Sequence, residues 1–177
     1  MNLTSNSYLF LVVSELSHKQ KAQLAAVCAR IALNLQRSMS LPVSLQKFAV
    51  LEEVVSLTEK SAHEGGDMAE LSSSMQYLRG LVFGSSTQSR FPNATVIFHV
   101  ARSVYAAGLA AITGYSSDVQ DALEAAFAAA QTAESKQAED SLWGELRRVL
   151  RAAREREAAV REQYIACVPK VVESLAR

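Results

Sequence analysis

Residues 93–133 read NATVIFHVARSVYAAGLAAITGYSSDVQDALEAAFAAAQTA, and this stretch decides the fold. Two long apolar segments flank a short break at Gly114 to Ser117. Asn93 is placed to cap a helix over Ala94 to Ile112, because its side chain can accept a free backbone N–H of the first turn. Gly114 suits the stop, since glycine readily takes the left-handed backbone that ends helices. Ser117 and Gln120 have the spacing of a capping box for a helix from Asp118 to about Glu134. Alanine dominates both segments, with Ala106, Ala107, Ala110 and Ala111 in one and Ala125, Ala126, Ala129 and Ala130 in the other. Small side chains let backbones approach closely, so the two segments read as a tight antiparallel helix pair.

Working outward, the same helical period recurs in the other long segments. Tyr8 to Val13 is the only run with a β-like composition, and being isolated it reads as a first helix. Ser17 and Gln20 form a capping box for the second, with Leu24, Val27, Cys28, Ile31 and Leu35 at helical spacing. Pro42 breaks it, because the residue before proline is pushed out of the α region. A third helix follows from about Ser44, with Phe48, Leu51, Val54, Val55 and Thr58 on one face, and Gly65-Gly66 ends it. Asp67 and Glu70 form the next capping box, and Leu71, Met75, Leu78 and Val82 mark a fourth helix stopping at Gly84. Ser85 to Pro92 is the best loop. The last helix spans about Asp140 to Ala176, and Pro169 is expected to kink or divide it. The expectation is one all-α domain over residues 1–177. It holds six or seven helices in a bundle-like or orthogonal array, with the Ala-rich pair and a long C-terminal helix. Helix pairs of about 40 residues also leave a HEAT-like stack open.

The 177 residues suffice to bury a core without metal or disulfide. Eighteen basic and 18 acidic residues cancel, so no global field draws the chain to nucleic acid or anionic lipid. The charge is nonetheless divided. Residues 118–140 hold Lys136 alone against Asp118, Asp121, Glu124, Glu134, Glu139 and Asp140, whereas residues 141–177 are mildly basic. Cys28 and Cys167 sit among apolar helical residues and read as buried, reduced thiols. The first residues show no signal-peptide pattern, so a cytoplasmic location is expected.

Site chemistry is sparse. His18, His63 and His99 have no metal-ligand spacing, and neither a Gly-x-Ser-x-Gly elbow nor a phosphate-binding glycine loop occurs. No cofactor and no catalytic residue is therefore expected. Arg147, Arg151, Arg154 and Arg161 form a stripe on the last helix that could track phosphates, but Glu155 and Glu162 lie beside it. A solvated face laced with local salt bridges is the simpler account. His99, Arg102 and Tyr105 are neighbours on the fifth helix. They read either as the lining of a small polar site or as boundary residues with one wet end.

Ala101-Arg102-Ser103-Val104-Tyr105-Ala106-Ala107-Gly108-Leu109-Ala110-Ala111, the alanine-rich sixth helix and Leu142-Trp143-Gly144-Glu145-Leu146-Arg147-Arg148 carry a family likeness. Over about residues 94–155 the chain resembles the small all-α immunity proteins of bacterial polymorphic-toxin systems. The resemblance implies a non-enzymatic protein that binds a cognate toxin domain in the same cell and blocks it. Immunity proteins that block nucleases present acids to a basic groove. Asp118, Asp121 and Glu124, with Glu139 and Asp140, are accordingly the expected partner contacts. Against this stands the plain role of Asp118 and Asp121 in complementing a helix N-terminal dipole. The alternative function is a helical adaptor or ligand-binding regulator, dimeric through the C-terminal helix. A helical metabolic enzyme with an unrecognised site comes third.

Overall fold

A computed structural model describes residues 7–39, 45–64, 68–83 and 94–175, with side chains over 11–39, 48–63, 68–80 and 94–155. Seven helices follow in order: α1 (Ser7–Glu15), α2 (His18–Ser38), α3 (Leu45–Glu64), α4 (Met68–Phe83), α5 (Ala94–Thr113), α6 (Ser116–Thr132) and α7 (Lys136–Leu175). No strand occurs among the described residues, so the all-α expectation holds. Tyr8 to Val13 lies within α1. The caps expected from Asp67 and Asn93, the breaks at Pro42, Gly65-Gly66 and Gly84, the Ser85 to Pro92 loop and the Cys167 side chain lie outside the described residues.

The chain divides into two compact units, Met1–Trp143 and Gly144–Arg177. In the first, α5 packs against α6, α2, α3 and α4. Alanine makes this packing close. Ala106, Ala107, Ala110 and Ala111 of α5 are buried, as are Ala122, Ala125, Ala126, Ala129 and Ala130 of α6. Ser103 Oγ donates to Ala122 O across the pair at 2.8 Å, a contact that requires near-touching backbones. The second helix shares this property: Ala22, Ala25, Ala26, Ala29 and Ala32 are buried. Cys28 is fully buried among them, as its apolar neighbours imply. On another side of α5, a methyl group at Gly108 would lie 2.2 Å from Met75 Sδ of α4.

Polar clasps set the ends. Ser17 and Gln20 form the expected capping box: Gln20 N donates to Ser17 Oγ at 3.3 Å and Ser17 N to Gln20 Oε1 at 3.0 Å. His18 Nε2 donates to Ala111 O at 2.7 Å, so the N-terminus of α2 grips the last turn of α5. Gly114 follows at φ 70°, and its Cα faces the His18 ring so closely that a Cβ would meet it at 3.1 Å. Arg30 of α2 donates to Glu59 (2.6 and 2.8 Å) and to Glu52 of α3, and Arg37 reaches Glu52 at 2.8 Å. These carboxylates hold the Arg30 guanidinium charged well above its usual range, Glu59 foremost.

Two boundaries differ from the sequence reading. α6 starts at Ser116 with Tyr115 as its N-cap residue, and no side chain caps it there. Thr113 replaces the expected Ser117 and Gln120 box: its hydroxyl accepts from Tyr115 N at 3.0 Å and donates to Asp118 at 2.6 Å. α7 begins at Lys136 rather than Asp140, because Ser135 caps it through Ala138 N at 3.4 Å. The helix also continues past Pro169 to Leu175 undivided.

Candidate protein-interaction face

One side of α5 is only partly covered. Phe98, Arg102, Tyr105 and Leu109 recur at helical spacing and form one stripe, about 16 Å long, exposed at Phe98 and half-buried along the rest. The buried residues lie around the rest of the helix, with Gly108 against α4 on one flank and Ser103 against α6 on the other. Phe98 is 45% exposed, and Tyr115, just past the far end of α5, is 66% exposed. Aromatic and arginine side chains of this kind are the residues that anchor protein interfaces.

The α6 acids meet this stripe at Asp121. Asp121 accepts from Arg102 at 3.2 Å, so its charge is partly matched across an exposed pair. Asp118 is held by the Thr113 hydroxyl and Glu124 by Gln120 Nε2 at 3.0 Å, both neutral donors. Asp118, Asp121 and Glu124 follow one another at spacings of three along α6, with Asp121 meeting Arg102 of the α5 stripe, while Glu139 and Asp140 are on the first turns of α7. Asp140 lies 3.7 Å from Lys136.

The expected His99, Arg102 and Tyr105 grouping is reorganised. Arg102 turns to Asp121, while the His99 ring packs edge-on against Phe98 at 5.8 Å. His99 Nδ1 is buried without a hydrogen-bond partner. Burial first, and then the Arg102 charge, lowers its pKa below the ordinary imidazole value. Phe98 and Tyr115 were not singled out by sequence reasoning. An exposed phenyl ring in an apolar helix looks like core until the helix's rotation is known.

An open cavity of about 310 Å³ lies between the C-terminal half of α2 and the start of α7. Ile31 and Leu35 line it with Asn34, Ser38, Ser135 and Ser141. The Ser38 and Ser141 hydroxyls already bond their own helices, at Leu35 O and Gln137 O. No group of three potential metal ligands occurs among the described residues. On α7, Arg147, Arg151 and Arg154 are exposed, Arg148 pairs with Glu145 at 2.8 Å, and the Arg161 side chain lies outside the described residues. Comparison with known proteins finds no matching family model, no matching curated protein and no matching solved structure.

Proposed function

We propose that this protein is a non-catalytic binding protein, of the immunity type, that neutralises a cognate toxin domain inside the bacterial cell by one-to-one association. The observation that carries the reading is the α5 stripe, exposed at Phe98 and half-buried at Arg102 and Tyr105, together with two α6 carboxylates, Asp118 and Glu124, that meet no cation among the described residues. Such a face fits a basic protein groove: rings fill its apolar floor while the acids meet its charge and speed encounter. Glu139 and Asp140 extend the acidic character along the next helix. The likeness of residues 94–155 to immunity proteins supplies the partner class.

The test is co-purification with the product of the adjacent reading frame, followed by association kinetics. Reversing Asp118 and Glu124 to lysine should slow association by about tenfold or more at low salt and remove protection in cells. Unchanged binding and protection by that variant would remove the acidic face from the contact. The cavity beside α2 favours a second reading, a ligand-binding regulator of neutral polar molecules. A small molecule retained by the purified chain in native mass spectrometry, with no protein partner recovered, would put that reading first.

A further inference from the structure

We propose that a second copy of this chain docks on the outer α5–α6 face through the arginine row of its α7. The chain is electrically neutral, with 18 charges of each sign, yet its charges are sorted by element. Among the described residues, Asp118 and Glu124 of α6 are held by neutral donors and meet no cation. Arg151 and Arg154 of α7 are exposed, pair with no acid among the described residues, and share one side of the helix through their spacing of three. Each copy therefore offers both halves of a complementary contact. Such a contact joins copy to copy, and it closes into a two-fold dimer when each patch meets the other copy's at the same time.

Aromatic rings suit the same occupant. Guanidinium groups stack on aromatic faces, and Phe98 of α5 and Tyr115 at the start of α6 stand exposed. Val149 and Leu150, close to the arginines in α7, are only half-buried and provide apolar surface for the rings. Exposed charge pairs set register and encounter rate more than affinity, and salt screens them, so the association weakens as salt rises. The dimer needs no toxin to exist. It uses Asp118 and Glu124, so it competes with any partner on that face.

Sedimentation velocity on the full chain tests this, over about a hundredfold range of concentration at low and high salt. A species of twice the chain mass is expected at low salt, shifting to one chain at high salt. Asp118→Lys with Glu124→Lys should weaken association by at least about tenfold, and so should Arg151→Glu with Arg154→Glu. Mixing the two variants should restore the dimer, because every contact then joins opposite charges. Helical circular dichroism is the check that both variants remain folded. A single-chain species at every concentration overturns the proposal. So does a dimer indifferent to both reversals, or a failure of the mixture to restore it. A monomeric chain that still captures a toxin domain sinks only the dimer. A charge-swapped dimer with no toxin partner sinks only the immunity reading.

Discussion

At the scale of single residues, two positions combine a packing demand with a chemical one. At Gly108 α5 lies close against α4, since a Cβ there would overlap the buried Met75 side chain. Gly108→Ala is expected to destabilise the fold by about 1–3 kcal/mol, read as a lower midpoint in urea. Met75→Ala alone should destabilise by about 2–5 kcal/mol through the cavity it leaves. Because the two changes share one space, the double variant should lose clearly less than their sum. Strict additivity would show that the two side chains do not meet. His99 is the other position. Its folded pKa lies below the unfolded value of about 6.5, so the unfolded chain takes up the proton first as pH falls. Its contribution to stability is present above that value and declines as pH drops through and below it. The unfolding free energy of His99→Gln should therefore fall less than that of the native chain between about pH 7.5 and 5.5. Equal slopes would remove His99 from the acid response.

Elements are shaped mainly by how their ends are tied. The α6–α7 junction closes by a Schellman pattern: Ser135 N donates to Ala130 O at 2.9 Å and Glu134 N to Gln131 O at 3.0 Å. Glu134 occupies the left-handed position at φ 53°, where glycine is the usual residue. Glu134→Gly should raise stability by a few tenths to about 1 kcal/mol, since relief of the Cβ strain exceeds the added freedom of the unfolded chain. A lower thermal midpoint would contradict this. The tilted contact between Phe127 and Trp143, centroids 4.9 Å apart, then holds α6 to the start of α7. Trp143 thus serves packing. On the other side of the bundle, the Arg30 clasp to Glu52 and Glu59 fixes the pairing of α2 with α3, a link that neither helix's apolar pattern announces.

Across the whole molecule, the position of α5 matters most. Its 20 residues are long and apolar enough to cross a membrane by composition, yet 56% of that window is buried inside the fold. Four helices pack against it, and its remaining stripe is the proposed interaction face. Substituting Tyr115 by serine should change stability by no more than about 0.5 kcal/mol, because the ring is mostly in solvent. The same change should weaken partner binding by about tenfold or more if Tyr115 is an anchor. Calorimetry of unfolding and of the complex separates the two effects. A variant that binds as well as the native chain would move the anchor elsewhere on the stripe.

The sequence by itself determined the class of fold and much of its punctuation. A 3.6-residue apolar period, the Ser17 and Gln20 box and the alanine-rich segments act through local backbone chemistry, which needs no knowledge of neighbours. The tight α5–α6 pair was legible for the same reason. The acids were legible as a charge cluster, but their pairing was not. Whether Asp121 meets Arg102 depends on how two helices are rotated and laid together. The third small-residue helix, the His18 clasp on Ala111 and the exposure of Phe98 were hidden likewise. Alanine, histidine and phenylalanine each serve equally well in a core or at a boundary, and only the packing of other helices around them chooses. Tertiary structure decided which face of α5 was left over, because four neighbours cover a helix whose composition is apolar on nearly every side.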